Sequence, residues 1–132
     1  ENGHLIRLAP GRAGVIDEVP AGRVYLDGRV LMDEGAGLAR HRRALAFAGM
    51  IAITLAIDRN GRVVGDPAIV MDGVPAPVED AVRRAIDDPI RRHNPKRRDE
   101  ADLKEDVRRA ARRAAENAWG KKPVTRVEVI AI

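Results

Sequence analysis

The chain has 132 residues and a formal net charge of +4, with 24 Lys and Arg against 20 Asp and Glu. That length supports one domain, or one domain with an appendage, and allows roughly two-thirds of the unfolded surface to be buried. Cysteine is absent, which excludes disulfides, thiolate metal sites and a thiol nucleophile, and the only aromatic residues are Tyr25, Phe47 and Trp119, too few for a base-stacking sheet of the RRM or OB type. Lysine is confined to Lys96, Lys104, Lys121 and Lys122, so the positive charge is almost all arginine. Together with the alanine excess this reads as a GC-rich genome rather than as selection for phosphate contacts. No apolar run approaches the roughly 18 residues that a membrane span needs, and a cytoplasmic protein is expected. The first residue is Glu1 rather than Met, so the chain is expected to begin inside a longer protein.

Residues 1–20 read as an antiparallel pair. Asn2-Gly3 is a turn, 4–8 an extended run, Pro10-Gly11 a second turn, and 13–19 the returning strand, stopped by Pro20. Such a pair buries too little to stand alone and is expected to belong to a larger sheet. Residues 21–49 read as a connector, with short extended pieces at 24–26 and 30–32 around Asp27-Gly28 and a flexible Gly35-Ala36-Gly37. Arg40-His41-Arg42-Arg43 is the densest basic run, either a solvated connector or a phosphate contact. The stretch 44–49 is ambiguous between a helical turn and an extended entry to the next strand.

The strongest strand signal is 50–57. Ile51, Ile53, Leu55 and Ile57 fall on one parity, Ala52, Thr54 and Ala56 on the other. Both faces are largely apolar, so a central strand covered on both sides is expected. Asn60-Gly61 supplies the positive-φ positions of a tight hairpin turn. Residues 62–64 and 68–71 form the second strand, with Pro67 marking an edge or a bulge. Val78, Val82 and Ile86 recur at helical spacing over 78–86, with Glu79 and Asp80 in the first turn, and Pro89 ends or kinks this helix. Residues 91–98 read as a basic loop. The longest helix runs from 99 or 102 to 119, carrying a stripe of Leu103, Val107, Ala110, Ala111, Ala114 and Ala118, a Glu105–Arg109 pair, and Gly120 as its C-terminal cap. Trp119 is expected as a core anchor. Residues 124–132 form a last strand, apolar enough to suggest an interior position in the sheet.

From residue 50 the order is strand, strand, helix, helix, strand. The expected fold class is α+β: a small three-stranded sheet with two helices on one face. The small-residue face of the first strand then needs another cover, because an exposed apolar sheet face is a liability. Ala52, Thr54 and Ala56 are accordingly the candidate self-association surface, for a homodimer or larger assembly.

Catalytic chemistry is hard to find. His4, His41 and His93 lie at no metal-ligand spacing, serine is absent, Thr54 and Thr125 sit in strand patterns, and no glycine-rich loop precedes a helix with a lysine. No catalytic and no metal-binding residue is assigned. The candidate phosphate contacts are Arg40, Arg42, Arg43, Arg91, Arg92, Arg97 and Arg98, each weighed against a plain solvated reading.

Several stretches taken together resemble the C-terminal third of ribonuclease J. They are Glu1-Asn2-Gly3 with His4-Leu5-Ile6-Arg7-Leu8, Pro20-Ala21-Gly22-Arg23-Val24-Tyr25-Leu26-Asp27-Gly28, Arg40-His41-Arg42-Arg43-Ala44-Leu45, Gly49-Met50-Ile51, and the tail 124–132 after an Arg-rich helix. At His41 the family usually carries an acidic residue, so that position transfers nothing. The resemblance implies that 1–22 are the last strands of a metallo-β-lactamase domain, 23–49 a linker, and 50–132 a small C-terminal domain. It further implies a parent that is a bacterial zinc-dependent ribonuclease with 5′-to-3′ exonuclease and endonuclease activity. The zinc ligands and the β-CASP insert of that parent would lie upstream of Glu1, leaving no cofactor on this chain. The family's C-terminal domain is associated with oligomerisation, which the unmatched sheet face suggests independently. The alternative reading is a sequence-blind RNA-binding module acting through the basic loops.

Overall fold

The computed structural model describes residues 2–33 and 37–132. Two compact units divide the chain, Glu1–Arg40 and His41–Ile132. The expected flexibility at Gly35-Ala36 lies outside the described residues.

The first unit holds two hairpins. Strands β1 (His4–Ala9) and β2 (Arg12–Glu18) pair antiparallel, with a register shift between Leu5 and Ile6. The Val19 N–H donates to the Gly3 carbonyl at 2.8 Å and closes the open end. Strands β3 (Val24–Asp27) and β4 (Val30–Asp33) form the second pair. Leu5, Ile6, Leu8, Val15 and Ile16 of the first hairpin, and Val24, Leu26, Val30 and Leu31 of the second, are all exposed. These strands are rich in large apolar side chains that lie exposed. The stretch read as a connector is more ordered than its composition suggests, because the turn at Asp27-Gly28 pairs its two flanks.

Helix α1 (Leu38–Ala48) replaces the ambiguity at 44–49 with a full helix. It ends at Gly49, whose φ of 65° suits glycine and whose N–H donates to the Leu45 carbonyl at 2.7 Å. A Cβ at Gly49 would lie 2.2 Å from the Asp72 carbonyl oxygen and 2.7 Å from that of Gly73. The Gly49 carbonyl in turn accepts from Val124 N–H at 3.0 Å. One glycine therefore joins the end of α1, the entry to the sheet, the exit of the second strand and the start of the last.

The sheet is three-stranded, in the order β6-β5-β7. Strand β5 (Met50–Ile57) is central, antiparallel to β6 (Val63–Asp72) and parallel to β7 (Val124–Ala131). The α+β expectation and its strand–strand–helix–helix–strand order hold. The position of the last strand differs: β7 is an edge, and its exposed Ile130 and Ile132 do not lie inside the sheet. Apolar composition alone cannot tell an interior strand from an edge with a greasy rim. The break at Pro67 is a bulge in β6, because Thr54 faces Ala68 while Ala56 faces Val64. Proline there costs no ladder hydrogen bond. In the turn after β5 only Gly61, and not Asn60, takes positive φ. Gly61 N–H donates to the Asp58 carbonyl at 2.8 Å, and Asp58 Oδ1 accepts from the N–H groups of Asn60 and Arg62 at 2.8 and 2.9 Å. The turn is thus a carboxylate-capped loop with a single left-handed residue, not a two-residue turn needing two.

Helices α2 (Ala76–Arg92) and α3 (Glu100–Trp119) cover one face. Ile51, Ile53 and Leu55 meet Val78, Val82 and Ile86 of α2, Leu103, Val107, Ala111 and Ala115 of α3, and Val127 in one buried cluster. Pro89 does not end α2, which continues through Arg92. The lost backbone hydrogen bond is offset because one further turn lets Ile90 pack against the core. Arg91 and Arg92 are consequently helical rather than part of the loop. Asp99 caps α3, its Oδ1 accepting from Asp102 N–H at 2.9 Å, and Gly120 closes the helix at φ 77°. Trp119 is half-buried against the core, with the Lys121 ammonium 4.9 Å from its ring and 4.5 Å from that of Phe47.

Gly49→Ala is expected to lower the thermal midpoint far more than Gly120→Ala. Both impose a left-handed alanine, at about 1–2 kcal/mol, but only position 49 adds overlap with two backbone carbonyls, whereas nothing lies within 4 Å at 120. Equal losses in parallel melts would show that the close approach at 49 is not a constraint.

Candidate functional site

Two surfaces of the second unit stand out. The first is the sheet face opposite the helices. Register places Ala52, Thr54 and Ala56 there, beside Val70, Ala68 and Val64 of β6 and Arg126, Glu128 and Ile130 of β7. The expected second cover for β5 is not supplied by the described residues of this unit: Ala52, Thr54 and Ala56 are half-buried, and Val70 and Ile130 are 62% and 54% exposed. This face is mainly small and apolar, with its charge gathered on β7. Lys104 Nζ reaches Glu128 at 3.4 Å and Glu100 at 2.9 Å, and the hydrogen bond it donates to the Glu100 carboxylate raises the lysine's pKa.

The second surface is a cleft of about 1030 Å³ between the β5–β6 turn and the segment joining α2 to α3. Arg62, Arg91, Arg92, His93 and Lys96 line it, with the amides of Asn60 and Asn94 and no carboxylate. The local geometry is built by short-range capping. The Asp58 carboxylate is turned into its own loop and is held below the usual carboxylate range, chiefly by the Arg62 N–H. Asn94 Oδ1 accepts from Lys96 N–H at 3.1 Å, and the Asn94 carbonyl accepts from the N–H groups of Arg97 and Arg98. A Cβ on Gly61 would lie 2.9 Å from Pro95 Cβ, so turn and loop are in close contact.

Of the arginines singled out from sequence, Arg91 and Arg92 enter this cleft. Arg92 Nε also pairs with Asp88 at 2.9 Å. Arg98 is drawn away by ion pairs to Asp106 and Asp102, and Arg97 does not line the cleft. Arg40, Arg42 and Arg43 are exposed on α1 and none of them lines it either. Arg62 and Lys96 were missed. Arg62 reads as the first residue of a strand, and only its position directly after a capped turn could have signalled that it sits at the sheet's end.

The long helix carries its own charge cluster. Glu105 accepts from Arg108 Nε at 2.7 Å and from Arg109 Nε at 2.6 Å. The two guanidinium hydrogen bonds, Arg108 first, lower its pKa to about 2. Both arginines are thereby partly neutralised.

Among the described residues no group of three or more His, Cys, Asp or Glu side chains could hold a metal ion. His4 lies in β1, His41 in α1 and His93 in the cleft. Among the described residues no helix is long and apolar enough to cross a membrane.

The family of this α+β unit follows from its similarity to known proteins. Residues 37–132 match the family model described as the ribonuclease J C-terminal domain. The chain is 40% identical over 134 residues to a ribonuclease J of Sinorhizobium meliloti, an alignment spanning 96% of this chain and 24% of that protein. It is 35% identical over 74 residues to a ribonuclease J of Corynebacterium glutamicum, spanning 55% of this chain and 10% of that one. The chain belongs to the ribonuclease J family, as a C-terminal domain of that family. It spans only a minor part of the length of the curated relatives it matches.

The Glu105 carboxyl is expected to titrate near 2, well below its ordinary 4.5. Because the pKa is depressed by folding, its stabilising effect is present above 4.5 and is lost as the pH falls toward 2. A carboxyl-carbon NMR titration checks this, and in Arg108→Ala the midpoint should move upward.

Proposed function

We propose that this chain is a non-catalytic C-terminal domain that supports assembly of a zinc-dependent ribonuclease acting 5′-to-3′ and internally in bacterial RNA processing and decay. On this reading zinc and the reacting groups belong to a lactamase-like core elsewhere in the protein, and the place of action is the cytoplasm. Membership of the ribonuclease J family supports the parent activity. The observation that carries the assembly role is the open sheet face around Ala52, Thr54 and Ala56, continued by exposed Val70 and Ile130. Water contact with such a face is costly at about 25 cal/mol per Å² of apolar area, and a second copy offers a matching small-residue surface under two-fold symmetry. The hairpins of the first unit present the same economy: exposed Leu5, Ile6, Leu8, Leu26 and Leu31 fit strands that finish a sheet of the core.

Light scattering across a concentration series reads the first proposal directly. A dimer or larger species is expected, and Thr54→Arg, placed at the centre of the face, should shift it to monomer with a melting midpoint little changed. A chain that stays monomeric at the highest concentration overturns self-association through this surface.

A further inference from the structure

We infer that the cleft lined by Arg62, Arg91, Arg92 and Lys96 is a binding site for the phosphodiester backbone of single-stranded nucleic acid. This goes beyond the assembly reading and shares no residue with the open sheet face.

The first support is the sign of the cleft. Its lining offers four permanent cations, a histidine and two side-chain amides, with no carboxylate among them. Several arginines elsewhere on the same unit pair with acids, Arg83 with Glu79, Arg98 with Asp102 and Asp106, Arg108 and Arg109 with Glu105. At the cleft Arg92 pairs with Asp88, and the Arg62 charge acts on the Asp58 carboxylate behind the turn. The lining itself carries no acid, and a cation-lined concavity of this kind is complementary to an anion.

The second support is directionality. The nearest acceptors are already used inside the walls. Asp58 Oδ1 is filled by Asn60 and Arg62 N–H, and Asn94 Oδ1 by Lys96 N–H. The lining arginines and the lysine can only donate, which is complementary to phosphate oxygens, which only accept.

The third support is what the cleft lacks. No aromatic side chain lines it, so bases find no stacking platform. No glycine-rich loop opens a helix there, so a nucleoside triphosphate finds no cradle. A volume of about 1030 Å³ lined by four cations suits a repeating polyanion rather than one phosphate. Recognition would be blind to sequence and strongly dependent on salt, because each neutralised phosphate releases counterions. Arg91, Arg92 and Lys96 lie in one basic run, whereas Arg62 arrives from the turn after β5.

The test uses the 132-residue chain and a fluorescein-labelled oligouridylate of twelve nucleotides, read by anisotropy over a salt series, with Arg62→Ala/Arg91→Ala as the variant. Its melting midpoint is measured alongside. The expected result is at least about a tenfold loss of affinity at low salt, with the log–log salt slope shallower by roughly 1.4, or 0.7 for each lost contact on a single strand. Arg62→Lys/Arg91→Lys should retain most of the binding and the slope. Arg84→Ala, an exposed arginine of α2 outside the cleft, should leave both unchanged. An oligothymidylate arm separates sources: comparable binding supports pure backbone contact, and weaker binding supports RNA through its 2′-hydroxyls. The inference is overturned if the wild-type chain does not bind at low salt, if the double alanine variant binds as well as wild type, or if polyglutamate competes as well as the oligonucleotide. None of these failures touches the self-association reading, which is measured without nucleic acid and through different residues.

Discussion

Ile51, Ile53 and Leu55 must be hidden, and every layer of the second unit follows from how that is done. They sit at 1% exposure or less, flanked in the sheet by an antiparallel neighbour on one side and a parallel one on the other. A parallel neighbour cannot be reached by a tight turn. The chain therefore leaves the sheet after β6, runs through two helices, and returns as β7. Those helices are the cover. Their inward residues grow smaller along α3, from Leu103 and Val107 to Ala111 and Ala115, which lets the helix lie close where it meets α2 and the sheet. Gly49 sets the anchor of this arrangement. With backbone carbonyls 2.2 and 2.7 Å from where a Cβ would stand, no side chain could let four chain segments meet there.

A strand buried on one face leaves the other to be dealt with, and here the parity of β5 matters. Its second face is Ala52, Thr54 and Ala56: too small to make a core of its own, too apolar to be a solvated surface. Large side chains there would demand a second helical layer. Charged ones would settle the face in water. Small ones leave it flat and close-approaching, the condition under which another sheet or a second copy can stack on it. This is the physical content of the proposed assembly role. It also separates the role from catalysis, since a flat apolar face offers no acid, base or ligand.

The central strand, its partition into a bulky and a small face, the stripe of α2, most of that of α3 and the cap at Gly120 are legible in the sequence, because each rests on local periodicity or on a residue whose backbone preference is strong; in the alanine run of α3 the period slips, and buried Ala115 takes the place expected of Ala118, which is exposed. What was not legible depends on tertiary settlement. Pro89 reads as a stop, yet Ile90 gains enough by burial to carry α2 through it. The strand 124–132 reads as interior, yet strand order is decided by the crossover and not by composition. At Asn60-Gly61 the familiar two-residue turn was displaced by the side chain of Asp58, whose two hydrogen bonds favour a longer loop. The basic cleft was half visible. Arg91 and Arg92 stand in an obvious run, but Arg62 lies about thirty residues away on the chain, and only the contact of Gly61 with Pro95 brings it to the same rim. The apolar face was read from one strand; that Val70 and Ile130 extend it required the register.

Charge pairing distinguishes the arginines that maintain the fold from those free to do something else. A GC-rich composition distributes arginine widely, so counting it says little. On α3 the helical spacing lets Glu105 take two guanidinium groups at once, and the depth of its pKa shift records how firmly it does so. Such pairs are worth little as stability when exposed, but they cancel long-range field and keep the helix from attracting polyanions indiscriminately. At the end of the sheet, where the turn after Asp58 meets the loop after α2, the cations instead line a cleft without any carboxylate. The net charge of +4 is in this sense a poor guide to binding, whereas its distribution is a good one. The flat face and the cation-lined cleft share no residue, so the proposed pairing of chains through the one and the proposed holding of a strand in the other do not compete for the same side chains.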